Sequence, residues 1–166
     1  ALQTIEISSQ HPMNRILVFV ARILVSATFL FSGFVKLVDP LGSAYKFEEY
    51  FGSDVLNLPF LIPYALPFSM GLILVEILLG VTLLIGYKPK LTLRVLLGMT
   101  LLFLFLTWYS AYFDKVTDCG CFGDALKLSS WETFYKNVIL LFLLLFLSFR
   151  ISYVIPVFSD DLLKWI

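Results

Sequence analysis

Two cysteines one residue apart, Cys119 and Cys121, sit in the run Asp118-Cys119-Gly120-Cys121-Phe122-Gly123-Asp124 and are the chain's only cysteines. Three chemistries suit such a pair. A disulfide closed over a single residue is strained, and strained disulfides are labile and exchange readily. Gly120 and Gly123 give the backbone the freedom that this closure needs. A structural staple is the second reading, although so short a loop removes little unfolded-state entropy and stabilises weakly. A metal site is the third, and it lacks ligands. Zinc and copper want three or four N/S donors, and the single histidine, His11, lies before the first apolar stretch. Asp118 and Asp124 repel a thiolate, which raises the thiol pKa values. The pair therefore suits a disulfide attacked by another thiolate better than a resting nucleophile.

The second chemistry-bearing group is Glu76, a carboxyl in the middle of an apolar segment. A charge at that depth is costly and marks a functional site by default. Ser69, Glu76, Gly80 and Leu83 share one helical face, and Arg22, Ser26, Gly33 and Lys36 form a matching stripe on the preceding segment. A Glu76–Arg22 pair is the expected contact, either as a proton-handling site or as a polar tie between helices. Lys36, near the end of its segment, is placed to snorkel to the headgroups. Gly71, Gly80 and Gly98 are expected to let helices approach closely.

The elements that must position these residues are membrane spans. Of 166 residues, 60% are apolar and 14% charged, and the mean hydropathy is +0.92. Soluble domains carry about a quarter charged residues. The net charge is zero, so no global field argues for nucleic acid. Four spans are predicted, at about 16–37, 67–85, 91–113 and 131–149, each near the length a bilayer requires. The fold class is all-α: an antiparallel four-helix membrane bundle forming one domain over residues 1–166. Gly86 closes the second span and Pro89 opens the third. Ser129 with Glu132 is a capping-box pattern for the fourth. Between spans one and two, Asp39-Pro40 opens a short amphipathic helix that Gly52 ends; it lies in the interface or folds onto the bundle. Trp108, Tyr109, Tyr112, Trp131 and Tyr135 bracket the Cys hinge as interface-belt residues. They are also a candidate wall for a membrane quinone.

Orientation follows from the basic residues. With the N-terminus inside, the inner side receives Arg15, Arg22, Lys88, Lys90, Arg94, Arg150 and Lys164, against Lys36, Lys46, Lys115, Lys127 and Lys136 outside. The bias is small, but Lys88, Lys90 and Arg94 crowd one very short turn, where the positive-inside rule works best. Both termini are therefore expected in the cytoplasm and the Cys hinge outside, where thiols oxidise. The chain opens on Ala, and its first span is too long and too Arg-punctuated for a cleaved signal peptide. Residues are expected to be missing or processed before it. Residues 150–166 are expected as a cytoplasmic tail that leads to a further region.

The run Phe31-Ser32-Gly33-Phe34-Val35-Lys36-Leu37-Val38-Asp39-Pro40 resembles the opening signature of DoxX-like membrane proteins. Glu76-Ile77-Leu78-Leu79-Gly80, continuing through Leu83-Leu84-Ile85-Gly86, resembles their second helix. Asp118-Cys119-Gly120-Cys121-Phe122-Gly123 resembles the cysteine signature of the MauE branch, and the chain as a whole looks most like DoxX-family proteins of Bacteroidetes-type bacteria. The resemblance implies a bacterial inner-membrane bundle in extracytoplasmic thiol–disulfide or sulfur redox. It also implies a thioredoxin-fold partner and, in some relatives, a quinone. The expected function is disulfide exchange at Cys119 and Cys121, with Glu76 as proton carrier. The rival reading is a non-catalytic accessory subunit that docks on a larger membrane complex through a stapled Cys loop. A transport path built on Arg22 and Glu76 ranks third.

Overall fold

The computed structural model describes residues 2–113 and 129–154, with side chains from Met13 onward. The Cys hinge, including Asp118, Cys119, Cys121 and Asp124, and the tail after Val154 lie outside the described residues. Five helices follow in order: α1 (Leu2–Val38), α2 (Pro40–Phe51), α3 (Ala65–Ile85), α4 (Pro89–Phe113) and α5 (Ser130–Phe149). Tight 3₁₀ turns at Pro59–Tyr64 and Ile151–Tyr153 complete the described elements. Met13–Val38, Pro59–Ile85, Pro89–Phe113 and Ser130–Phe149 are long and apolar enough to cross a membrane. The fold is the all-α polytopic bundle that the composition demands.

Local chemistry sets the helix ends. The Asp39 carboxylate accepts from the Gly42 N–H at 2.9 Å while Pro40 occupies the first turn, so α2 starts there. Ser129 and Glu132 form the capping box reciprocally: the Glu132 N–H donates to Ser129 Oγ, and the Ser129 N–H donates to Glu132 Oε2 at 2.8 Å. Gly86 closes α3 at φ 81, its N–H bonding the Thr82 and Leu83 carbonyls. That left-handed conformation suits glycine. The second span departs from expectation at its start, because α3 begins at Ala65 and a 3₁₀ turn precedes it from Pro59. Pro67 interrupts nothing, since N–H groups in the first helical turn have no intrahelical partner.

The bundle is two closely packed pairs. α1 lies along α3, α4 lies along α5, and the pairs meet each other more sparsely. Gly33 and Gly80 set the α1–α3 approach. A Cβ at Gly33 would stand 2.7 Å from Ile77 Cγ1, and one at Gly80 would stand 2.8 Å from Leu30 Cγ. Gly71 and Gly98 correct the expectation, for a Cβ at either would meet nothing within 4 Å among the described residues. Helix α2 folds onto the bundle through Phe47 and Phe51, which pack edge-on against Phe68 at 5.1 and 5.7 Å. Toward the α3–α4 turn the interior is apolar, built from Val18, Val25, Leu83, Leu93, Leu96, Leu144 and Leu147.

Candidate functional site

Helix α3 carries Glu76 inward with 1% of its surface exposed. From α1, Lys36 Nζ reaches Glu76 Oε1 at 2.6 Å and Ser32 Oγ donates to Oε2 at 3.3 Å. Ser32 and Lys36 are one helical turn apart, so a single face of α1 delivers both donors. Lys36 is 5% exposed, and its ammonium also lies 4.9 Å from the Phe103 ring centroid on α4. A cation over an aromatic face gains electrostatic stabilisation, more so away from water. The ion pair thus has its charges matched and part of its hydrogen-bonding capacity met, as burial of two charges requires.

Two sequence expectations are corrected here. Lys36 does not snorkel to the headgroups; its side chain turns into the bundle, because the nearest carboxylate is there. Arg22 is not the partner of Glu76. Its Nε donates to the Leu83 carbonyl at 2.8 Å and its Nη2 donates to the Leu84 carbonyl. Those carbonyls belong to the last turn of α3, where the helical ladder runs out, the Gly86 N–H shares the Leu83 carbonyl and the dipole is negative. A guanidinium there satisfies both demands, which makes Arg22 a cap supplied by a neighbouring helix.

Around the pair, all four spans line a cavity of about 20 Å³. α1 contributes Thr28, Phe29, Ser32 and Lys36 around Glu76, while α4 brings Thr100 and Phe103 and α5 brings Lys136, Asn137 and Leu140. The cavity sits at the seam where the two helix pairs meet. Nearby, Asn137 Nδ2 donates to Thr107 Oγ1 at 3.4 Å, a polar tie between α4 and α5. Thr100, Phe103, Lys136 and Asn137 enter the site with no motif to announce them, whereas Ser32 lies within the Phe31–Pro40 run. The signal that could find most of them is the rule that marks Glu76, a polar or charged residue within an apolar span.

The Cys hinge joins the C-terminal end of α4 to the capped start of α5. Lys36 lies two residues from the end of α1 and Asn137 seven residues into α5. At about 1.5 Å per residue, the cleft is roughly 10 Å below the first turn of α5. Glu76 and Thr100 stand near the middle of α3 and α4, and Lys36 and Asn137 reach the cleft from the halves of α1 and α5 nearer the hinge. Among the described residues, no group of three or more His, Cys, Asp or Glu side chains could hold a metal ion.

Comparison with known proteins decides the family. The model for "Methylamine utilisation protein MauE" matches residues 14–150. The chain belongs to the MauE family. That match spans the four membrane helices and the Cys hinge between the third and fourth. The chain is also similar to Protein TlpB of Flavobacterium psychrophilum, 26% identical over 143 residues, which covers 81% of this chain and 37% of that protein. This MauE-family chain thus spans well under half the length of the curated relative it matches. No solved structure matches it.

Proposed function

We propose that this protein is the membrane component of an extracytoplasmic thiol–disulfide redox system, with Cys119 and Cys121 as its exchanging pair. A thiolate of a partner protein, of thioredoxin fold by the family resemblance, attacks one sulfur of the Cys119–Cys121 disulfide. The S–S bond breaks, a mixed disulfide forms, and the other cysteine leaves as thiolate. The partner's second thiol then displaces it, so the partner departs oxidised and the pair remains as a dithiol. Trp108, Tyr109, Tyr112, Trp131 and Tyr135 would wall a membrane quinone, which when bound would supply the two-electron, two-proton oxidant that restores the disulfide. The protein sits in a bacterial inner membrane with both termini cytoplasmic and the hinge on the oxidising side, and it belongs to the wider DoxX-like group.

The observation that carries this reading is the placement of the only two cysteines. They are one residue apart, in the connection between α4 and α5. MauE-family membership supports it, since the resemblance links that branch to disulfide formation. The test is trapping. A Cys119→Ser or Cys121→Ser variant, purified from native membranes under acid quench, should carry a covalent, reductant-sensitive adduct to a second protein. If neither single variant forms an adduct and the double variant keeps full physiological function, the cysteines do not exchange. The hinge would then be a contact surface.

A further inference from the structure

The threonines of the bundle are of two kinds. Thr28, Thr82, Thr92, Thr107 and Thr133 each donate the hydroxyl to a backbone carbonyl three to five residues earlier, at 2.8–3.1 Å. Such back-bonding is the local way to satisfy a hydroxyl inside a helix. Thr100 on α4 departs from it. It is 1% exposed, and its hydroxyl has no hydrogen-bond partner among the described residues. Buried hydroxyls in folded proteins are almost always satisfied, by protein or by bound water. Ser26 and Ser69 also bury an unpartnered hydroxyl, but of the three only Thr100 lines the seam cavity. The ion pair beside it has capacity to spare. A carboxylate offers about four acceptor sites, and Glu76 accepts from Lys36 and Ser32. The cavity volume, about 20 Å³, is room for about one water, which needs two to four polar partners.

We infer that the seam cavity binds one water molecule, and that this water ties Thr100 to the Lys36–Glu76 ion pair. It accepts from the Thr100 hydroxyl and donates to the Glu76 carboxylate, so both charges stay as they are and each unmet group gains a partner. Helices α1 and α3 bring Ser32, Lys36 and Glu76 to the cavity, while α4 and α5 bring Thr100 and Asn137. The water therefore joins the two helix pairs where their direct packing is sparse. A bridging water is enthalpically nearly as good as a direct hydrogen bond. An apolar cavity of this size would stay dry, but here an ion pair, two hydroxyls and an amide converge. Thr100 is thus a positioning residue for the ion pair, acting across the seam through the water. The bridge needs no cysteine chemistry, so it stands or falls apart from disulfide exchange.

Thr100→Val removes the hydroxyl with little change of shape, and the sign of its effect on the full chain in liposomes is decisive. With the water bound, the variant strips it of a partner and the thermal unfolding midpoint falls. In a dry cavity the same change removes an unsatisfied buried hydroxyl, and the midpoint rises. In a Lys36→Met/Glu76→Met background the ionic partners of the water are gone, so Thr100→Val should no longer lower the midpoint. A crystal structure of the full chain grown from a lipid mesophase should show one water within hydrogen-bond distance of Thr100 Oγ1 and the Glu76 carboxylate. A midpoint unchanged or raised by Thr100→Val in the otherwise wild-type chain would overturn the inference, as would an equal fall in both backgrounds. So would a cavity without density in a structure that shows the waters at the helix ends.

Discussion

The half of the bundle near the α3–α4 turn and the half near the Cys hinge are built from the same four helices but solve different problems. Toward the turn, Val18, Leu83, Leu93, Leu96 and Leu144 are almost completely buried and apolar. The one buried charged side chain there among the described residues, Arg22, is spent on helix-end carbonyls. From the middle of the bundle toward the hinge, the buried positions include Ser32, Lys36, Glu76, Thr100, Thr107 and Asn137. Lipid chains are as apolar as leucine, so packing rather than water exclusion holds the first half together. The second half accepts the cost of buried polar groups.

Mutations can break or sharpen that contrast. The largest effect expected is from Cys119→Ser/Cys121→Ser, with complete loss of disulfide exchange, measured by thiol trapping of the partner, and an unchanged helical signal. In the hinge half, Glu76→Gln leaves the Lys36 ammonium buried without its counter-charge. The expected loss is about 3–5 kcal/mol, measured by unfolding in detergent, and replacing Lys36 and Glu76 together by methionine should recover much of it. In the turn half, Leu144→Ala should cost about 2 kcal/mol, the low end for such truncations because lipid supplies no hydrophobic penalty. It should leave exchange at the cysteines intact. If Leu144→Ala abolished exchange while Glu76→Gln did not, the two halves would not be separate in role. The smallest effect is at the boundary: Ser129→Ala removes half of the α5 capping box and should cost about 1 kcal/mol, seen as faster amide exchange in the first turn of α5.

The sequence carries the fold almost completely. Gly86, Pro89, Asp39-Pro40 and the Ser129–Glu132 box are local signals, and each appears as expected, while α1 and α3 start before the predicted spans. The site is legible only in part. A helical wheel says which way Glu76 points, and it points inward. It does not say how far α1 slides along α3, so the sequence points to Arg22 rather than to Lys36, fourteen residues further along the same stripe. The close approaches of Gly33 to Ile77 and Gly80 to Leu30 fix that register and bring Lys36 to the carboxylate. Contributions from α4 and α5 are less legible still. Thr100 and Asn137 reach the cavity through packing between helix pairs, which no local pattern encodes.

The most direct test of the account is the redox state of Cys119 and Cys121 in native membranes, read by alkylation after acid trapping while the quinone pool is driven oxidised and then reduced. The account predicts a pair that is oxidised when the pool is oxidised, becomes dithiol when it is reduced, and forms a mixed disulfide in the single-cysteine variants. A pair that stays fully oxidised, resists added reductant and ignores the quinone pool would contradict it.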